Sequence, residues 1–124
     1  MTPPQSTAEI LALLERLVGE SVSQFQVLGI NSLKSVTPTT NDLAGRVITA
    51  VSADDRRLEI ELGDVSATVD LQGTGRLAWL EIASKAQIGQ ANLPTLRLIL
   101  ESGSGLDFTE PAKTKRISVS LSAP

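Results

Sequence analysis

The run RLEIELGDVSATVDL, residues 57 to 71, alternates apolar and polar side chains on both sides of a Gly63-Asp64 pair. Leu58, Ile60 and Leu62 share one face of the first arm, and Glu59 and Glu61 share the other. A period of two belongs to a strand with one buried face, and a glycine-containing pair between two such arms reads as a hairpin turn. Half-buried antiparallel strands must find a second layer to cover their apolar side. The same alternation recurs over Ser21–Leu28, Arg46–Ala53, Arg76–Ile82, Thr95–Glu101 and Arg116–Leu121. Short strands separated by turn signals predict an all-β sandwich.

One helix is also predicted. Ser6-Thr7-Ala8-Glu9 has the spacing of a capping box, and Ile10, Leu11, Leu14, Leu17 and Val18 then fall on one helical face. The helix should run over about residues 7 to 18 and stop at Gly19, which tolerates a positive φ. A second short helix is read over Thr40 to Ala44, with Gly45 as its stop. The expected class is mainly β with one or two helices, as a single domain over residues 1–124.

Composition narrows the chemistry. The chain has neither Cys nor His, which removes disulfides, zinc fingers, Cys nucleophiles and Ser-His-Asp catalysis. Acidic residues show no EF-hand spacing, and no cofactor or metal is expected. Aromatics are only Phe25, Trp79 and Phe108, so the core must be aliphatic and platforms for stacking single-stranded bases are lacking. A net charge of −3 disfavours non-specific DNA binding by the molecule as a whole while leaving room for a local basic patch. No apolar run approaches a membrane span, and the N-terminal segment lacks the basic lead of a signal peptide, so no membrane partner and a cytoplasmic location are expected.

The stretch Gln72-Gly73-Thr74-Gly75-Arg76 raises the question of phosphate binding. A P-loop needs a Lys-Ser/Thr pair and a following helix, and a dinucleotide fingerprint needs a third glycine. Neither pattern completes here, and a strand follows instead. Read from the residues alone, the stretch is a glycine-assisted connection between antiparallel strands.

The order of segments resembles the N-terminal domain of the formamidopyrimidine-DNA glycosylase / endonuclease VIII family. LLERLVGESVSQFQVL is similar to that family's first helix and strand. LAGRVITAVSADDRRLEIELGD is similar to the region ending in its Arg-Gly-Lys turn. VDLQGTGRL resembles its His-Leu-Gly-Met-Thr-Gly-Arg-Leu signature, and LRLILESGSGLDFTEPAKTKRISVSL resembles the strand leading into its Asp-Pro-Arg-Arg-Phe-Gly loop. The matches keep the family's order over nearly all of the chain. The resemblance implies a two-layer antiparallel β-sandwich flanked by helices. It also implies that Gly73-Thr74-Gly75-Arg76 is the hairpin loop that carries a lesion-inserted residue in the active enzymes.

The family's functional residues are largely replaced. Its terminal Pro-Glu pair, whose amine attacks the sugar, aligns with Met1 and Thr2; Pro4 keeps a later proline, and Gln5 follows it. Arg56 stands at about the place of the phosphate-binding Lys, Asp70 at that of the signature His, and Gly73 at that of the inserted Met. Glu110-Pro111 keeps the later turn, while Ala112 and Lys113 stand for the two arginines and Thr114 for the Phe wedge. No stretch resembles the family's helix-two-turn-helix domain or its zinc finger. The resemblance therefore implies a catalytically degenerate domain and assigns no catalytic residue.

Six of the eleven basic residues, Arg56, Arg57, Arg76, Lys113, Lys115 and Arg116, fall on or beside the loops that face DNA in that family, which makes them candidates for phosphate contacts. Asp54, Asp55, Asp70 and Glu110 lie in the same loops, so these charges also read as solvated, mutually balanced loop ends. Weak DNA binding and a non-catalytic protein-interaction or structural role are both compatible with this pattern. An active glycosylase or AP lyase is disfavoured for want of an amine beside a carboxylate. Trp79 is expected in or beside the core, and Glu59 and Glu61 on a solvated face.

Overall fold

The computed structural model describes residues 6–28, 43–71, 75–83, 94–110 and 117–122. Among the described residues, helix α1 (Thr7–Glu15) precedes eight strands: β1 (Val22–Val27), β2 (Ala50–Asp54), β3 (Arg57–Leu62), β4 (Val65–Asp70), β5 (Arg76–Leu80), β6 (Leu96–Leu100), β7 (Gly105–Thr109) and β8 (Ser118–Ser122). The strands form two antiparallel four-stranded sheets, ordered β1-β6-β7-β5 and β2-β3-β4-β8. The expected sandwich and its mainly β class are therefore what the chain adopts.

Binary patterning explains the second sheet directly. Leu58, Ile60 and Leu62 of β3 are buried, as are Val65, Ala67 and Val69 of β4 and Val119 and Leu121 of β8. Glu59 and Glu61 point outward and are exposed. Leu62 pairs with Val65, so Gly63 and Asp64 form a two-residue turn, and Gly63 takes a φ of 70°. In the first sheet, Phe25, Leu96, Leu98, Leu106, Phe108 and Leu77 are buried in the same core. The Phe25 and Phe108 rings meet tilted at 54° with centroids 6.5 Å apart.

The helix begins as its sequence predicts. The Ser6 hydroxyl accepts from the Glu9 N–H, and the Glu9 carboxylate accepts from the Ser6 N–H, which completes the capping box. The α-helix ends at Glu15 rather than near residue 18. Arg16, Leu17 and Val18 each donate three residues back, so the chain tightens into turns. This moves Val18 off the apolar face, and it is 46% exposed, whereas Ile10, Leu14 and Leu17 are buried. Each of those three contributes about 1.5–3 kcal/mol by leaving water. α1 packs against β2 and β5, one edge strand from each sheet. Trp79 of β5 is half-buried against the core, with the Arg16 guanidinium 4.0 Å above its ring.

Two other readings differ from the structure, and one lies mostly beyond the described residues. The strand expected over Arg46–Ala53 starts only at Ala50, because the residues before it serve the other sheet: Val22 donates to the Arg46 carbonyl, Gly19 to that of Ile48, and Ser21 bridges Val47. Strand β7 is additional to the expected strands: only Leu106 and Phe108 alternate in its five residues, and it opens on a glycine that reads as part of the preceding turn. The short helix expected over Thr40–Ala44 lies mostly outside the described residues; Leu43 is buried and Gly45 takes a φ of 82°.

Asp107 is tolerated in β7 because Arg97 faces it from β6. The guanidinium donates from Nε to Oδ1 at 2.7 Å and from Nη2 to Oδ2 at 2.9 Å, in register across the two strands. The two side chains are only 12% and 9% exposed. The hydrogen bond to Asp107 raises the Arg97 pKa above its ordinary value against the opposing effect of burial. Removing Asp107 takes the bidentate partner from a largely buried guanidinium, so Asp107→Ala should lower the unfolding free energy by about 2–4 kcal/mol, whereas the double variant Arg97→Met/Asp107→Leu should recover most of that loss. Urea unfolding of the cycle checks this, and a single-variant loss below about 1 kcal/mol would contradict the role given to the pair.

Candidate nucleic-acid interface

Strand ends of both sheets meet at one end of the sandwich. The β2–β3 turn lies there, since Asp54 pairs with Arg57 and leaves Asp55 and Arg56 at the tip. Asp55 takes a φ of 55°, which aspartate tolerates better than most residues. The end of β4 lies beside it, because Arg57 pairs with Asp70 and Asp70 with Ser118 at the start of β8. From the other sheet come the start of β5 and the end of β7, where Arg76 pairs with Thr109.

The ends of β4 and β5, which belong to different sheets, are tied together here. The Leu71 N–H donates to the Arg56 carbonyl at 2.9 Å, and the Gly75 N–H donates to the Leu71 carbonyl at 3.0 Å. The Arg56 guanidinium donates through Nη2 to the Gly75 carbonyl. Arg56, Leu71 and Gly75 thus close a ring of hydrogen bonds. β4 and β5 belong to different sheets, so Leu71 and Gly75 flank a change of sheet and not the hairpin pair expected from sequence. Gly75 is required by close approach: a Cβ there would sit 2.5 Å from the Leu71 carbonyl oxygen and 3.0 Å from Ile117 Cδ1.

Glu110 makes a second closure. It is buried, accepting from the Thr95 hydroxyl at 2.9 Å and from the Ile117 N–H at 3.0 Å. It therefore links the end of β7 to the approach of β8 and is not one of the solvated loop acids that the sequence suggested. No local pattern marked Thr95 as its partner; the proline after Glu110 was the sole sign of a turn.

Of the six basic candidates, the structure brings Arg56, Arg57 and Arg76 to this end. Arg57 is exposed, and its side chain makes no ion pair or hydrogen bond among the described residues. Asp54 and Asp70 sit opposite it on the neighbouring strands. Arg56 and Arg76 are half-buried. Lys113, Lys115, Arg116 and Gly73 lie outside the described residues. Among the described residues there is no group of three or more acidic side chains placed to hold a metal, and no helix is long and apolar enough to cross a membrane.

This architecture is that of the N-terminal domain of formamidopyrimidine-DNA glycosylase. Lactococcus lactis Fpg in complex with abasic-site DNA superposes with a TM-score of 0.72 at 16% identity, over 91% of this chain and 40% of that one. The Lactococcus lactis protein bound to tetrahydrofuran-containing DNA and an inhibitor gives a TM-score of 0.75 at 15% identity, over 96% and 44%. The chain thus spans about two fifths of the length of these structures. No protein-family model matches the sequence, and no curated protein matches it.

Gly75→Ala tests the packing at the crossing. It should destabilise the domain by about 1–3 kcal/mol, because the Leu71 backbone must move to admit a methyl group. A denaturant midpoint equal to that of the parent protein would show that residues 71 and 75 do not approach so closely.

Proposed function

We propose that this is a catalytically degenerate domain of the Fpg N-terminal type that contacts DNA weakly through the phosphate backbone. The observation that carries this reading is the convergence of Arg56, Arg57 and Arg76 at one end of a fold shared with DNA-bound Fpg. Arg57 is exposed there and available to a phosphate oxygen. Lys113, Lys115 and Arg116 belong to the same proposal through their place in the sequence between Glu110 and β8.

The neighbouring acids set the strength of the contact. Asp54 and Asp70 flank Arg57, so an approaching phosphate meets both signs of charge. Phosphate contacts position without reading sequence, so binding should be weak, salt-sensitive and indifferent to base order. Asp70 stands where the resemblance places a histidine, and Gly73 offers no side chain to fill the space of an extruded base, so no glycosylase step is assigned.

Fluorescence titration into an intact duplex and into one carrying a stable abasic analogue tests the reading. Similar affinity for both, lost between low and moderate salt, is expected. Arg57→Met should reduce the slope of log K against log salt by about 0.9, one phosphate contact. Asp70→Asn should tighten binding by removing a repulsive charge. Absence of binding at low salt would defeat the proposal and turn attention to a protein partner. A borohydride-trapped adduct on abasic DNA would overturn the catalytic part alone.

A further inference from the structure

Arg56 and Arg57 are adjacent in sequence, yet the fold gives them different tasks. Arg57 opens β3 in one sheet, and its side chain is exposed. The Arg56 side chain turns across the sandwich and donates to the Gly75 carbonyl. Gly75 immediately precedes Arg76, which opens β5 in the other sheet. One hydrogen bond therefore spans the residues preceding two arginines that the sheet hydrogen-bonding networks do not connect. The Arg56 carbonyl meanwhile accepts from Leu71, so both ends of the residue are engaged with the crossing segment.

We propose that Arg56 is a positioning residue that yokes Arg57 and Arg76 across the two sheets, presetting a two-point grip on the DNA backbone without itself touching phosphate. The inference rests on the DNA-contact reading above and assigns roles within that site. The chemistry favours arginine for the task. A planar guanidinium on a long stem reaches a carbonyl on the opposite sheet and directs its donors in a fixed fork, whereas lysine offers a flexible point charge. A preset pair of cations loses less freedom on binding than two independent ones, so the yoke acts on affinity without adding an ion to the contact.

Charge and yoke separate experimentally. Arg56→Met, Arg56→Lys, Arg57→Met and Arg76→Met would be titrated into an intact duplex over a range of salt. Amide exchange of Leu71 and Gly75 would be followed in the same proteins without DNA, with circular dichroism confirming that each remains folded. Both Arg56 variants should lose affinity about three- to tenfold, the equivalent of one hydrogen bond, with the salt slope unchanged. Their Gly75 and Leu71 amides should exchange faster by a similar factor. Arg57→Met and Arg76→Met should lower the slope by about 0.9 each and leave those amides protected. A phosphate-binding Arg56 would behave oppositely: Arg56→Lys would bind like the parent, Arg56→Met would lower the slope, and that result overturns the proposal. If no protein in the set binds DNA, the function proposed above fails, and the grip fails with it. The exchange data then still decide the yoke: unchanged amide protection in both Arg56 variants would remove that too.

Discussion

Two sheets can share one core only where the chain moves between them without leaving backbone groups unpaired in an apolar interior. Each described crossing answers this constraint with a particular set of partners. Residues 46–48 accept from and bridge to the start of β1 before the chain enters β2. At the far end, Leu71 donates to Arg56, and Gly75 then turns back on Leu71 closely enough to exclude any side chain. Between β7 and β8, the burial of Glu110 is made tolerable by the Thr95 hydroxyl and the Ile117 amide. The apolar faces supply the driving force for association, and these polar closures determine how the two layers are joined.

The same closures shape the electrostatics of the loop end. Arg56 is drawn into the crossing and Glu110 into the interior, so neither contributes a fully solvated charge. Arg57 remains at the surface between two strands that each present an aspartate. Such a surface offers a few separated positive charges and not a broad positive field, in keeping with the net charge of −3. The fold supplies the platform, and the side chains on it set what it does.

Local signals in the sequence were reliable wherever structure was local. The bounds of β3, the Gly63-Asp64 turn and the Ser6–Glu9 box follow from residues within a few positions of one another. The failures had distant causes. Val18 continues the helical pattern, yet the chain leaves the helix at Glu15, and Gly19 goes on to donate to the distant Ile48 carbonyl. β7 offers only two alternating apolar residues, and its buried Asp107 is accommodated because Arg97 arrives from another strand. Residues 72–76 read as a hairpin connection because sequence does not reveal which sheet a strand joins. For the candidate site, the positions of Arg56, Arg57 and Arg76 at strand ends were legible from the strand pattern. The partner of Arg56 was not, since it is a carbonyl nineteen residues away.

The placement of α1 bears on how the molecule behaves when crowded with its own kind. An edge strand exposes a row of donors and acceptors on which another chain can build. β2 and β5 are edges, one in each sheet, and the helix lies against both. Its capping box, a few exposed polar groups at the start of the described chain, thereby helps to hold a guard over two templates at once. Fraying of that helix would uncover one edge strand in each sheet, so resistance to edge-to-edge pairing at β2 and β5 is tied to the integrity of one nine-residue element.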